Sequence, residues 1–148
     1  MPIVVTDLDG TLNNCVHRQH LAAQGRWEEF HSLLGQDTIY DDVAWMLLSL
    51  PTDLTVMAVT GRNERYRKET YHWLERATMS EYIDSMLMRP DDNFESDHIL
   101  KPRMLEENLG SKQKVLEEVV LVLDDRDKVV QAWRDYGLPC WQVRPGGY

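Results

Sequence analysis

Basic residues are scarce in this chain of 148 residues. Sixteen Lys and Arg face twenty-five Asp and Glu, leaving a formal net charge of −9. A surface of that sign is no general trap for nucleic acid, so any nucleic-acid ligand must be held locally, by a few arginines and a metal. Cysteine is scarcer still. Cys15 and Cys140 alone make no disulfide framework, and a reducing, intracellular setting is the expectation. No apolar run is long enough to span a bilayer, and no basic region precedes the first apolar run as it would in a signal peptide. The chain is therefore expected to be soluble and cytoplasmic, with no membrane partner. Repeats, low-complexity tracts and linkers are all missing. One domain covering 1–148 is expected, large enough to bury its own core.

Short β-branched apolar runs occupy 3–5, 54–59, 119–123 and 138–143, with a weaker one at Ile83 to Met88, and each reads as a buried strand. Helical spacing fills the gaps. Tyr66, Thr70, Trp73, Leu74 and Ala77 share one face of 62–77. Val129, Val130, Trp133 and Tyr136 share one face of 126–136, which Gly137 should end. A third helix is expected over 41–50, before Pro51. Alternating strands and helices predict an α/β, Rossmann-like three-layer fold, with a parallel sheet of about five strands covered on both faces. In such sheets the ligand site lies at the carboxyl ends of the strands.

Polar residues of one chemistry collect at that edge. The first strand ends in Asp7-Leu8-Asp9 and runs into Gly10-Thr11, the second ends in Thr60-Gly61-Arg62, and the fourth in Asp124-Asp125-Arg126. Two carboxylates placed close together repel each other and resist desolvation, so a fold tolerates them best where a cation joins them. A calcium loop beginning at Asp7 would need a glutamate at its twelfth position, where Arg18 stands instead.

Hydrolysis of a phosphomonoester needs an in-line nucleophile, a proton for the leaving oxygen and positive charge around the phosphoryl oxygens. The residues allow each role to be filled. Asp7 is the candidate nucleophile, and Asp9 the candidate acid and base. Mg²⁺ is the expected cofactor, bound by Asp7 and Asp9 together with Asp124 and Asp125. Thr60, Gly61 and Arg62, read as lying at a helix start, are candidates for phosphate binding. Lys101 is the best candidate for a catalytic, phosphate-facing lysine, held by Asp97 one helical turn earlier. Singly, each element has an ordinary explanation. Thr60 reads as an N-cap, Asp124-Asp125 as a cap with a solvated neighbour, and Asp97 with Lys101 as an exposed ion pair of small consequence. Together, D-x-D-G-T, T-G-R, D-x-x-x-K and D-D fall in order at strand ends.

With those four motifs the chain resembles the haloacid-dehalogenase superfamily of aspartate-nucleophile phosphatases over essentially its whole length. A narrower likeness lies in Leu87-Met88-Arg89, Asp97-His98-Ile99-Leu100-Lys101, Val122-Leu123-Asp124-Asp125-Arg126 with Val129, Val130 and Trp133, and Cys140-Trp141-Gln142-Val143. These stretches look like the phosphatase domain of bacteriophage polynucleotide kinase-phosphatase, which removes 3′-phosphates from nucleic-acid ends. The resemblance implies Asp7 as nucleophile and Asp9 as general acid and base, with Asp97, Lys101, Asp124 and Asp125 completing the site. It also implies arginines at Arg62 and, on spacing from the first motif, at Arg18, with Arg26 as the alternative. The family's G-x-x-x-x-G-K-[S/T] phosphate loop is absent, so 5′-kinase activity is not expected.

Residues 13–40 read as a small helical cap inserted after the first strand. So small a lid leaves the cleft open, which suits a phosphate at the end of a polymer. Arg18, His17, His20 and Trp27 could meet a phosphate or stack on a base, while Trp27 and Phe30 equally fit a role in docking the insert. Trp45, Trp133 and Trp141 are expected in the core. Asp91, Asp92, Glu95 and Asp97 read as a loop before a helix N-terminus. The expected substrates are 3′-phosphorylated DNA or RNA ends. The alternatives are a 5′(3′)-deoxyribonucleotidase acting on free nucleotides, which the net charge favours, and a non-catalytic binding module. A further reading makes the chain the partner of a separately encoded kinase or ligase.

Overall fold

The computed structural model describes residues 1–148. Its centre is a five-stranded, wholly parallel sheet. The strands are β1 (Ile3–Thr6), β4 (Thr55–Asn63), β5 (Ser85–Arg89), β6 (Val119–Asp124) and β7 (Cys140–Gln142), in the order β5-β4-β1-β6-β7. From β1 the chain winds outward one way through β4 to β5, then returns to the other side of β1 for β6 and β7. The strand order therefore reverses at β1, where a parallel sheet opens a crevice at its carboxyl edge.

Both faces are buried, so β1 reads as an unbroken apolar run. Ile3 and Val5 point to one layer, which holds Leu100, Met104, Val129 and Trp133 from α5 (Asp97–Leu109) and α7 (Asp127–Tyr136). Val4 and Leu8 point to the other, against Val43 and Leu47 of α3 (Asp41–Leu48) and Trp73 and Leu74 of α4 (Arg67–Arg76). Trp133 is completely buried, and its truncation to alanine should cost about 3–5 kcal/mol. A further helix, α6 (Lys112–Glu118), not anticipated from periodicity, follows α5 and leads into β6. No helix is long and apolar enough to cross a membrane.

Residues 13–40 hold the short antiparallel pair β2 (Asn13–Asn14) and β3 (Thr38–Ile39), with two small helices, α1 (Gln19–Ala23) and α2 (Trp27–Ser32), between them. Phe30 and Leu34 are buried and anchor this insert.

Several boundaries move. The second strand continues past 59 to Asn63, so Thr60, Gly61 and Arg62 lie within β4 and not at a helix start; the helix that follows begins as a 3₁₀ turn at Glu64. The cause is a bulge. Thr60 pairs with Met88 but Asn63 with the very next residue, Arg89, so Gly61 and Arg62 are extra on their strand. The Arg89 guanidinium pins the bulge by donating Nε–H to the Gly61 carbonyl at 2.9 Å. The last strand shortens to three residues. Two tryptophans expected in the core are on the surface. Trp45 is 68% exposed because the buried stripe of α3 is Val43, Ala44 and Leu47, and Trp141 is 57% exposed on β7, an edge strand with no neighbour beyond it.

Candidate active site

Asp7 follows β1 directly and is held by its backbone amide to Leu123 of β6 at 2.9 Å. Its side chain is buried and accepts from two others. Lys101 Nζ donates to Asp7 Oδ1 at 2.9 Å and to Asp124 Oδ2 at 3.1 Å, and Thr11 Oγ1 donates to Asp7 Oδ2 at 3.1 Å. Trp133 Nε1 donates to the same Asp124 oxygen, Oδ2, at 3.2 Å. One oxygen each of Asp7, Asp124 and Asp125 lies within 4.8 Å of the other two. Gly10 makes this possible. Its φ is +85°, and a Cβ there would stand 2.1 Å from Asp125 Oδ2. Tyr148 also donates its hydroxyl to Asp125.

Three converging carboxylates against one ammonium leave an excess of negative charge. Burial and then the neighbouring Asp124 push the Asp7 carboxyl well above its usual range, with Lys101 offsetting part of the effect. Burial raises Asp125 as well. Burial alone would discharge Lys101, but Asp124 and Asp7 more than reverse it and keep the ammonium charged. Buried hard oxygen donors with excess negative charge are what a small divalent cation such as Mg²⁺ requires, and the residues fit it.

Asp9 belongs to a different cluster, and its carboxylate is not among the three. Arg62 grips both of its oxygens, Nε to Oδ2 at 3.1 Å and Nη2 to Oδ1 at 2.7 Å, and Arg18 Nη2 also donates to Oδ1. Burial would raise Asp9, but the two guanidinium groups win and hold it far below the carboxylate range. Both arginines are themselves completely buried. Arg62 donates its remaining nitrogen to Thr70 Oγ1, while Arg18 donates to the Phe30 carbonyl and stacks on the Phe30 ring at 4.3 Å. On sequence these arginines are candidates for meeting phosphate; in the structure their donors are directed at Asp9 and its supports. Arg26, the alternative to Arg18, is exposed and pairs with Glu29.

The anchor of that cluster carries no signal in the sequence. Asp37 is buried and accepts from Arg18 Nε at 2.8 Å, Arg18 Nη2 at 2.6 Å and Asn13 Nδ2 at 3.1 Å, with His17 Nε2 at 2.7 Å. No motif marks it, because a lone aspartate in a polar insert carries no spacing signal. His31 was missed for the same reason. It is buried beside Tyr66 at the cleft wall, its Nδ1 has no partner, and burial lowers its pKa to about 4.

Asp97 does not hold Lys101. Its carboxylate pairs with Arg89 and, at 3.2 Å, with Arg126 Nη1, and it packs where a Cβ on Gly61 would be only 2.4 Å away. Lys101, one turn further along α5, points inward to Asp7 instead. The exposed ion pair of small consequence is excluded, since Lys101 is 2% exposed. Thr60 Oγ1 accepts from the Arg62 amide at 3.1 Å, which leaves its own proton free. Asp7, Asp9, Thr60, Gly61 and Lys101 line one cleft of about 730 Å³, which the insert borders through Trp27, Phe30 and His31.

A family model described as the phosphatase domain of polynucleotide kinase PNKP matches residues 1–148. A protein of Autographa californica nuclear polyhedrosis virus, provisionally named a bifunctional polynucleotide kinase/RNA ligase, is 28% identical over 142 residues, covering 92% of this chain and 18% of the viral one. A chain of the Pnkp1/Rnl/Hen1 complex superposes with a TM-score of 0.77 at 30% identity, covering all of this chain and 48% of that one. A second structure of that assembly, described as an RNA repair complex, gives a TM-score of 0.76 at 30% identity, covering all of this chain and 44% of the other. This chain thus spans under half the length of these relatives.

Proposed function

The chain belongs to the family of polynucleotide kinase PNKP phosphatase domains, within the haloacid-dehalogenase hydrolases, and from that membership we propose that it removes 3′-phosphates from nucleic-acid ends. The observation that carries this reading is the pairing of two differently tuned aspartates. Asp7 is buried against Lys101 and a carboxylate cluster, while Asp9, two residues on, is held apart by two arginines. Two carboxyl groups in such different surroundings are suited to different tasks, and Mg²⁺ at the Asp7 cluster would offset the carboxylates that raise Asp7 and leave it ionised to attack.

Asp7 attacks phosphorus in line. The bond to the 3′-oxygen breaks as the aspartyl-phosphate bond forms, and Asp9 relays to the departing oxygen the proton that the substrate brings as its phosphate monoanion. Asp9 then takes a proton from water, which attacks the same phosphorus and releases inorganic phosphate with Asp7 restored. Lys101 counters the charge of Asp7 and of the incoming phosphate. Thr60 has a free hydroxyl proton to give a phosphoryl oxygen, and the Gly61–Arg62 bulge brings backbone to the same edge. Mg²⁺ held by Asp7, Asp124 and Asp125 would neutralise the charge that develops on the phosphoryl oxygens.

The chain acts as one domain over 1–148, with 13–40 as a small cap whose two short helices leave the cleft open to the end of a strand. A separately made kinase or ligase is the proposed partner, in line with the names of the viral relative and of the Pnkp1/Rnl/Hen1 complex. The net charge of −9 favours a second reading, hydrolysis of free nucleotides, because a mononucleotide needs no extended basic track.

The test runs three substrates in parallel with Mg²⁺: a 3′-phosphorylated oligonucleotide, its 5′-phosphorylated counterpart and a deoxynucleoside 3′-monophosphate, with Asp7→Asn as blank. Preference for the first supports the proposal. Preference for the mononucleotide makes the protein a nucleotidase.

A further inference from the structure

Phe94 is 91% exposed, the most exposed large apolar side chain of the molecule, and it lines the catalytic cleft. An isolated apolar residue on a surface needs no explanation when its loop is slack. This loop is not slack. Arg89 Nη1 donates to the Asn93 side chain at 3.0 Å and to the Glu95 carbonyl at 2.5 Å. Asn93 Oδ1 accepts from the Glu95 amide at 2.9 Å, Arg103 Nη1 donates to the Glu95 carboxylate at 2.8 Å, and the Arg65 amide donates to Asp91 at 3.1 Å. The residues on both sides of Phe94 are thus fixed, and the ring is presented to solvent. Arg89, the main tie, also holds Asp97 and the Gly61 carbonyl, so the loop and the catalytic edge share one anchor.

Resting on the 3′-end reading above, we propose that Phe94 is the stacking platform for a base in the last two nucleotides of a 3′-phosphorylated strand. Position supports it. Lys101 lies about 6 Å along α5 from Asp97, and Phe94 precedes Asp97 by three residues, at most about 10 Å of chain. A strand whose terminal phosphate reaches Asp7 must leave the cleft past this rim, and one or two nucleotides cover such a span. The cleft's charge is compatible with it. Although the chain is acidic overall, Arg65, Arg89, Lys101, Arg126 and Lys128 match the five carboxylates of the cleft lining, and Arg65 and Lys128, which no carboxylate pairs, stand where a phosphodiester backbone would run. The chain neighbours of Phe94 are the polar Asn93, Glu95 and Ser96, which suit a flat base edged by polar groups.

The experiment compares kcat/KM of wild type, Phe94→Ala and Phe94→Trp on a 3′-phosphorylated oligonucleotide and on the same strand made abasic at its last two positions. Stacking on one aromatic ring is worth about 5- to 150-fold. Phe94→Ala should lose a factor in that range on the intact strand, carried by KM, and nothing further on the abasic strand. Phe94→Trp should restore it. Because Phe94 covers nothing, the urea midpoint of the alanine variant should equal that of wild type. Equal activity of Phe94→Ala and wild type on the intact strand overturns the assignment, as does transfer of the whole base sensitivity to Trp27→Ala. Hydrolysis of neither strand, with Asp7-dependent turnover of an activated aryl phosphate retained, dismisses the 3′-end reading itself.

Discussion

Arg62 grips Asp9 at both carboxylate oxygens, at 3.1 and 2.7 Å, from a strand bulge at Gly61–Arg62. Two-point pairing of this kind, reinforced by Arg18, leaves Asp9 without a proton in the free protein. In the proposed mechanism the proton that Asp9 hands to the leaving oxygen must then arrive with the substrate, as the monoanion of the phosphate ester. A phosphomonoester loses its second proton near pH 6. The upper limb of kcat/KM should therefore fall with rising pH from about 6, approaching tenfold per unit. A profile flat from pH 6 to 9 would contradict this route for the proton.

Asp9→Asn should suffer most on poor leaving groups such as a sugar hydroxyl and least on an activated aryl phosphate, since only the first needs an acid. Parallel measurements on an oligonucleotide and an aryl phosphate check this. Equal losses on both would argue against the acid role.

Removing Lys101 leaves Asp7 and Asp124 buried without their cation. Lys101→Met should lose about 3 kcal/mol of stability, the lower end of the range because Asp7 can take up a proton. Added Mg²⁺ should recover part of that loss. Urea unfolding with and without Mg²⁺ provides the check, and a variant as stable as wild type without the metal would contradict the charge assignments.

Asp37 lies outside the cleft lining and would act on catalysis mainly through Arg18, with Arg62 Nη2 further off at 3.8 Å. Asp37→Asn keeps the shape but removes the charge facing the guanidinium, and should lower kcat/KM roughly 10- to 100-fold. The double variant with Arg18→Ala should be no worse than Arg18→Ala alone. Additive losses would mean that Asp37 has a separate role.

His31 has its pKa lowered from 6.5 to about 4 by burial. Between those values the unfolded chain binds a proton that the folded one refuses. Its contribution is therefore fully present above about pH 6.5 and lost progressively down to about 4, on the order of 3 kcal/mol. Wild type should lose stability relative to His31→Gln over that window, as followed by urea midpoints at pH 7 and 5. Parallel pH dependence of the two proteins would contradict it.

The sheet and the gathering of Asp7, Lys101, Asp124 and Asp125 at its carboxyl edge were legible because strand order and motif spacing are local signals. D-x-D-G-T, D-x-x-x-K and D-D follow or precede elements whose apolar periodicity is plain, and a parallel sheet brings strand ends together whatever the loops do. The rest depended on tertiary geometry. The bulge at Gly61–Arg62 is invisible until β5 supplies the register. Asp97 and Lys101 are one turn apart, yet α5 delivers the first to Arg89 and Arg126 and the second to Asp7, so helical spacing pointed to the wrong partner. Trp45 and Trp141 were misplaced because residue type does not say which stripe of α3 is covered or that β7 is an edge.

The most direct test is a rapid-quench single turnover with an oligonucleotide carrying a ³²P-labelled 3′-phosphate. Label should appear first on the protein, in a hydroxylamine-sensitive bond mapped to Asp7, and then as inorganic phosphate, with no transfer in Asp7→Asn. Release of inorganic phosphate without labelled protein, together with an active Asp7→Asn, would contradict the account at its centre.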